Sequence, residues 1–153
     1  MSEFTVRLTL LLLLGAGTWL IIKLGRHFVE TRRQQALDAA PLTALATPAH
    51  QLAPETGDPR VRILAFSSED CHQCHQLQAP ALQRVLAARG EAVEVVDIDA
   101  TNGHELVETY HIMTVPSTVI LDTTGRAQAV NYGFANTQRL LGQIDEVLAK
   151  AAG

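Results

Sequence analysis

The sequence predicts an α/β domain, with a central mixed β-sheet flanked by helices, preceded by one N-terminal transmembrane helix. Two observations carry this prediction. The first is a long apolar stretch near the start of the chain. The second is an alternation, from Arg60 onward, of short apolar runs typical of buried strands with amphipathic helical patterns. The 153 residues suit one globular domain plus an appendage, and the 47% of apolar residues suffices for a core.

The predicted membrane helix runs from Phe4 to Leu24. At ~1.5 Å per residue it spans about 31 Å, close to the thickness of the hydrocarbon layer. Arg7 and Lys23 lie near its ends, where their side chains reach the lipid headgroups. A cleaved signal peptide is the alternative, but the residues after Ile22 contain no small-x-small cleavage site. We therefore assign residues 1–25 to an uncleaved membrane anchor.

The charges that flank the apolar stretch predict its orientation. Arg7 and the α-amino group precede it, and the basic residues that follow it are Lys23, Arg26, Arg32 and Arg33. Because basic flanks favour the cytoplasmic side of a membrane, this pattern places the soluble domain on the cytoplasmic face. The extracytoplasmic face is the alternative.

Residues 26–59 are predicted to form a solvated juxtamembrane helix followed by an extended linker. The first part is polar and consists of good helix formers, so it prolongs the membrane helix into water. Four of the six prolines then fall within Pro41–Pro59. Proline blocks hydrogen-bonded ladders and stiffens a chain, so we expect this stretch to tether the domain formed by residues 60–150.

The domain is predicted to follow the order β-α-β-α-β-β-α. The predicted strands are Val61–Phe66, Val93–Ile98, Ser117–Leu121 and Ala127–Tyr132. The predicted helices lie between Asp70 and Gly90, at Gly103–Tyr110 and at Thr137–Ala149. We expect Pro80 to kink the first helix, whose buried face is predicted to comprise Leu77, Ala81, Leu82, Val85 and Leu86. Strand–helix–strand units predict parallel pairing, and the final hairpin predicts antiparallel pairing.

Charge and cysteine content narrow the classes of function. The net charge is −4, so no basic excess predicts a nucleic-acid partner. The two cysteines, Cys71 and Cys74, are three positions apart. A bridge between them closes too small a loop to be a useful structural staple. Such a pair is typical of redox chemistry or of metal binding.

Cys71-His72-Gln73-Cys74 falls where the first predicted strand meets the first helix. Unpaired N–H groups and the positive end of the helix dipole stabilise a thiolate at Cys71. Cys74 lies one turn later, so its sulfur can reach back. We expect Cys71 to attack a partner disulfide and Cys74 to resolve the mixed disulfide. A protonated His72 favours the thiolate, and the negative charge of Asp70 opposes it.

The chain from Arg60 to Lys150 resembles a thioredoxin-family domain. The resemblance rests on the cysteine motif after the first strand, on Thr114-Val115-Pro116-Ser117-Thr118 further along, and on Gly133 before an amphipathic C-terminal helix. It implies a thioredoxin-like fold in which the Val115–Pro116 bond is cis and the proline packs against the cysteines. It also implies that Thr114, Val115 and Pro116 bind substrate, with the Val115 backbone offered to an extended partner chain.

The function that the resemblance implies is membrane-tethered thiol–disulfide exchange with protein substrates. Its partners are protein thiols and disulfides together with an unidentified electron donor or acceptor. We expect no cofactor other than the redox-active Cys71–Cys74 disulfide, and we expect no metal. Asp70, His72 and Gln73 are expected to tune the pair, because thioredoxins carry Trp at the first position and Gly-Pro at the other two.

Further departures concern the proton of the resolving cysteine. Thioredoxins bury an Asp where this chain has Ala65, and that Asp is thought to relay the proton. Its Lys partner is matched here by Val95. We therefore expect a different relay, through water or Glu94, and we expect Asp97 and Asp99 to be solvated. Pro80 also lies one residue further from the second cysteine than the usual kink proline.

Three alternative interpretations remain open from the sequence. With His75, the motif also matches C-x-x-C-H, the attachment signature of c-type haem, with Met113 as a candidate axial ligand. A cytochrome c is mostly helical, however, whereas this motif follows a strand. A zinc or copper site could use the cysteines with His72 and His75, although side chains one residue apart on a helix diverge. The third is a non-catalytic module on the thioredoxin fold that serves binding or holds a metal, and a binding module would not need the thiols.

Overall fold

The computed structural model describes residues 2–39 and 61–151, so the predicted linker Pro41–Pro59 lies outside the described residues. The elements are α1 (Ser2–Leu37), β1 (Val61–Ser67), α2 (Ala79–Arg89), β2 (Val93–Asp99), α3 (His104–Thr109), β3 (Ser117–Leu121), β4 (Ala127–Tyr132) and α4 (Thr137–Ala151). A π-helical turn (Cys74–Gln78) leads into α2, and a 3-10 turn (Gly90–Ala92) follows it. The predicted order of strands and helices is confirmed.

Helix α1 is long and apolar enough to cross a membrane. The candidate span is Thr5–Leu37, with a mean hydropathy of 1.9, and a signal sequence near an N-terminus shares these features. The Lys23 ammonium lies 4.8 Å from the centre of the Trp19 ring. A basic group paired with an aromatic ring is typical of the boundary between lipid and water. The boundaries of the predicted anchor, linker and domain stay predictions.

The four strands form one mixed sheet in the order β2-β1-β3-β4. β1 and β2 are parallel, whereas β3 runs antiparallel to both β1 and β4. In this register Ser67 pairs with Asp99, and Ser117 pairs with both Phe66 and Tyr132. The carboxyl ends of β1, β2 and β4 therefore meet the start of β3 at one edge of the sheet. The loops that follow or precede these ends are consequently brought close together.

Alternating side chains of the sheet support a hydrophobic core on each face. On one face, α2 and α4 cover strand residues that include Val61, Ile63 and Ala65. On the other face, Leu64 and Phe66 pack in one cluster with residues of α3 and the adjoining Tyr110. Burial raises the pKa of Tyr110 to about 12.

The end of α1 corrects one prediction. The juxtamembrane helix was expected to be solvated, but Ala36 is 0% exposed and belongs to the second core cluster. Leu37 and Ala39 are partly buried against the same cluster. Alanine adds little hydrophobicity to a sequence pattern, so the packing of this turn was not visible in the local sequence. The last turn of α1 is therefore part of the hydrophobic core on this face of the sheet.

The buried face of the helix after the cysteines also differs from the prediction. Leu77 and Leu86, predicted to be buried, are exposed, whereas Cys74 and Gln78 are buried. The kink expected at Pro80 stays a prediction, and a π-helical turn (Cys74–Gln78) lies just before the helix that contains this proline. Proline has no N–H to donate to the carbonyl four residues earlier, and its ring crowds that carbonyl. A wider turn relieves the conflict, and its extra residue matches the later position of Pro80.

Candidate active site

Cys71 lies immediately before the helix that begins at His72. Its N–H donates to the carbonyl of Ser68 at 3.1 Å, which closes the polar turn after β1. Its own carbonyl accepts hydrogen bonds from the N–H groups of Cys74 (3.0 Å) and His75 (3.3 Å). Cys71 therefore occupies the N-cap position of the helix, where the sequence placed it.

The two sulfurs form a disulfide, with Sγ atoms 2.08 Å apart and Cα atoms 5.3 Å apart. The backbone N–H of Cys74 also donates to the Sγ of Cys71 at 3.1 Å. The two residues differ in access, because Cys71 is partly exposed and Cys74 is only 5% exposed. A partner molecule can thus reach Cys71 first. The N–H donor and the helix N-terminus both favour negative charge on that sulfur.

The loop before β3 lies at the same edge of the sheet as the cysteines. The Val115–Pro116 peptide bond is cis, and Pro116 is buried. The hydroxyl of Ser117 donates to the carbonyl of Thr114 at 2.7 Å and so closes the loop. Ser117 pairs with Phe66, which lies at the end of the strand that leads to Cys71.

The three predicted tuning residues, Asp70, His72 and Gln73, are all exposed around the disulfide. His75 is exposed too, but one of its ring nitrogens is engaged: Nε2 lies 3.0 Å from the carbonyl oxygen of Glu69. Because a carbonyl only accepts, this nitrogen carries the hydrogen. The contact holds the imidazole of His75 against the turn that precedes Cys71.

Sequence reasoning missed Gln78, which is 3% exposed. Its side-chain oxygen accepts from the N–H of Ala135 at 3.0 Å, and its side-chain nitrogen donates to the carbonyl of Ala135 at 3.4 Å. These two bonds join the π-helical turn to the loop after β4. The signal available in the sequence was its spacing, since Gln78 lies four residues after Cys74 and so shares its face.

A cavity of about 260 Å³ is lined in part by the buried Cys74. Apart from Cys74, its titratable lining residues among the described residues are His75 and Asp97. Asp97 pairs in register with Ala65, the residue that stands in place of the buried Asp of thioredoxins. Asp97 is exposed as predicted, but it also faces this cavity, which the sequence did not indicate.

The structure contradicts the expectation that Glu94 relays the proton of Cys74. Its carboxylate accepts from the Nε of Arg62 at 3.1 Å, within an ion pair between β1 and β2. Side chains alternate along a strand, so Glu94 points away from the face on which Val93, Val95 and α2 pack. Of the acidic residues of β2, Asp97 is the one that lines the same cavity as Cys74.

A protein-family model named Thioredoxin matches residues 52–146, which is more than half of the chain. No curated protein matches the chain. The matched range contains β1 to β4, both cysteines and the loop with the cis peptide bond.

Solved thioredoxin structures share the fold. Chloroplastic thioredoxin z is 21% identical, with a TM-score of 0.56, and the match covers 69% of this chain and 92% of that one. The germline-specific thioredoxin Deadhead of Drosophila melanogaster is 21% identical, with a TM-score of 0.55, covering 64% and 90%. Thioredoxin-2 of the malaria parasite is 17% identical, with a TM-score of 0.52, covering 57% and 82%. At these identities the likeness concerns the fold.

Proposed function

Because this chain belongs to the thioredoxin family, we propose that it is a thiol–disulfide oxidoreductase that exchanges disulfides with protein substrates through Cys71 and Cys74. The observation that carries the proposal is the asymmetric pair at the helix N-terminus. Its first cysteine is partly exposed and its sulfur receives an N–H donor, whereas its second cysteine is buried one turn later. A bridge that only fastened the fold would not need this asymmetry.

The first step is attack by the Cys71 thiolate on a partner disulfide. A bond forms between the Cys71 sulfur and one partner sulfur, and the other partner sulfur leaves with the electron pair as a thiolate. The N–H of Cys74, 3.1 Å from the Cys71 sulfur, and the unpaired N–H groups of the helix start stabilise the attacking thiolate.

The second step is attack by the Cys74 sulfur on the Cys71 sulfur. The Cys71–Cys74 bond forms, the mixed disulfide breaks, and the partner leaves as a second thiolate. The partner has gained two electrons and the protein has lost two. The same steps run backwards when the partner is the dithiol, so the reduction potentials of the two couples set the direction.

The loop Thr114–Pro116 is the proposed docking site for the partner chain. It lies at the sheet edge that also carries the cysteine pair, and Val115 is partly exposed there. An extended partner segment laid along the Val115 backbone would present its sulfur to Cys71. Exposed Asp70, His72 and Gln73 border the same surface, and we assign them a tuning role.

The proposal includes attachment of the domain to a membrane by α1. The support is the length and composition of the helix and the pairing of Lys23 with Trp19 near the end of the apolar stretch. The excess of basic residues after that stretch supports the cytoplasmic face as the location of the domain.

The membrane face can be tested by labelling Cys71 and Cys74 in intact cells. After brief treatment with a membrane-impermeant phosphine, an impermeant maleimide should label neither cysteine unless the cells are lysed. The cytoplasmic side shields thiols from such reagents, so the lysed sample is the positive control. Rapid labelling in unbroken cells would reverse the assignment.

The activity itself is tested by reduction of insulin disulfides. The full chain in detergent micelles, supplied with dithiothreitol, should accelerate precipitation of the insulin B chain at catalytic concentrations. Cys71→Ser should reduce the rate to that of dithiothreitol alone, since Cys74 is buried. A wild-type rate no higher than that of Cys71→Ser would overturn the proposal in favour of a binding module.

A further inference from the structure

We propose that the Asp97 carboxylate accepts, through water in the adjoining cavity, the proton that Cys74 loses when it resolves a mixed disulfide. This inference rests on the proposed function, because it concerns the second step of disulfide exchange. That step requires a sulfur anion, and free thiols are mostly protonated at neutral pH. A residue with 5% exposure has little direct access to bulk water, so its proton needs a route.

The cavity supplies that route. At about 260 Å³ it is large enough for several water molecules, and it is lined by Cys74 and by polar residues that can hold water. Its remaining lining residues are Phe66, Ser67, Gln78, Ala79 and Leu82. Asp97 both lines this cavity and is exposed, so it lies between the cavity next to Cys74 and the solvent.

The neighbouring strand makes room for this arrangement. Ala65 of β1 is the register partner of Asp97, and partners in a sheet present their side chains on the same face. The side chain of Ala65 ends at Cβ and is itself buried in the core beneath α2. The carboxylate on this face of the sheet is therefore supplied by Asp97 of β2, and not by a residue of β1 as in thioredoxins.

Other acidic groups of β2 are occupied elsewhere. Glu94 is paired with Arg62 on the opposite face. The Asp99 carboxylate accepts hydrogen bonds from the hydroxyl and N–H of Thr101 and from the side chain of Asn102, and these bonds hold its pKa below the usual range. His75, the other titratable group of the cavity, has one ring nitrogen committed to the Glu69 carbonyl.

The proton and electron balance is simple. As the Cys74 sulfur bonds to the Cys71 sulfur, its proton passes through water to the Asp97 carboxylate. The bond between Cys71 and the partner breaks, and the partner sulfur leaves with the electron pair. Asp97 then returns the proton to solvent or to the departing thiolate, so the carboxylate is regenerated.

The test follows the two thiol reactions separately. Reduced full chain in detergent micelles is mixed with one equivalent of dithiobis(nitrobenzoate) in a stopped-flow instrument. The first release of thionitrobenzoate reports attack by Cys71, and the second reports resolution by Cys74. We expect Asp97→Asn to slow the second release by about tenfold or more and to leave the first unchanged. The deficit should shrink as the pH rises towards the thiol pKa, because thiolate then forms without a base.

Three control variants decide between this role and the alternatives. Asp97→Glu should restore the second release, and Glu94→Gln, which removes the same charge from the other face of β2, should leave both releases unchanged. An unaltered second release in Asp97→Asn, or an equal loss in Glu94→Gln, would overturn the inference. If His75→Ala slowed the second release and Asp97→Asn did not, the proton acceptor would be His75 and the inference would be wrong. If the wild type released only one equivalent of thionitrobenzoate, Cys74 would not resolve the mixed disulfide, and the proposed function itself would be wrong.

Discussion

Replacing Cys74 with serine should convert the protein from a catalyst into a trap. Mixed disulfides between Cys71 and the partner would form at the normal rate, because Cys71 keeps its exposure and its place at the helix N-terminus. They would then persist, since the sulfur that displaces the partner is gone. On non-reducing gels the variant should appear as adducts that collapse when dithiothreitol is added.

The expected loss of turnover is at least about 1,000-fold. In the native protein the two sulfurs are held within bonding distance, so resolution is intramolecular. Well-oriented intramolecular groups act at effective concentrations of about 10⁵ M and above, whereas an external thiol is present at millimolar levels. Insulin reduction and the lifetime of the adduct measure the loss directly.

Cys71→Ser is the matched control, because it removes the other sulfur of the same pair. It should give neither turnover nor adducts, since Cys74 is too deeply buried for a folded partner to reach. Adducts of equal yield in Cys71→Ser and Cys74→Ser would contradict the assignment of Cys71 as the attacking residue and Cys74 as the resolving one.

The elements around the cysteines could be predicted because their signals are local. Ser117–Leu121 and Ala127–Tyr132 are apolar runs joined by a short polar turn, and the structure has strands with these bounds. Cys71 follows a buried strand and a turn, so its place at a helix N-terminus also needed only neighbouring residues. The thioredoxin-like fold with a mixed sheet and flanking helices is confirmed.

The surroundings of Cys74 could not be predicted because they depend on distant contacts. Gln78 is satisfied by Ala135, which is 57 residues away, and a lone glutamine in a helical pattern usually indicates a solvated position. Asp97 faces the cavity because β2 pairs in one particular register with β1. Glu94 lies on the other face of β2, where its carboxylate pairs with Arg62, and this contact depends on the same register.

The packing of the end of α1 also depends on distant contacts and could not be predicted from the sequence. A substitution there is expected to have the largest effect on stability. Ala36→Asp should lower the free energy of unfolding of the thioredoxin-like domain by about 3 kcal/mol. Ala36 is 0% exposed in a cluster of apolar side chains. The new carboxylate would be buried without a partner there, and its extra atoms would overpack the site. The neighbours in the cluster include Leu64, Phe66, Leu106, Tyr110, Val119 and Leu121.

Hydrogen exchange of the backbone amides of β1 and β3 measures this change in the full chain. These strands lie in the centre of the sheet, so their slowest amides report opening of the whole domain. Ala36→Asp should accelerate their exchange by roughly 100-fold. Gln34→Asp introduces the same group two residues earlier, at an exposed position, and should change the free energy by less than about 0.5 kcal/mol. Equal protection in the two variants would show that the last turn of α1 contributes nothing to the core. The expected difference would mean that this turn is a structural part of the domain that carries the cysteine pair.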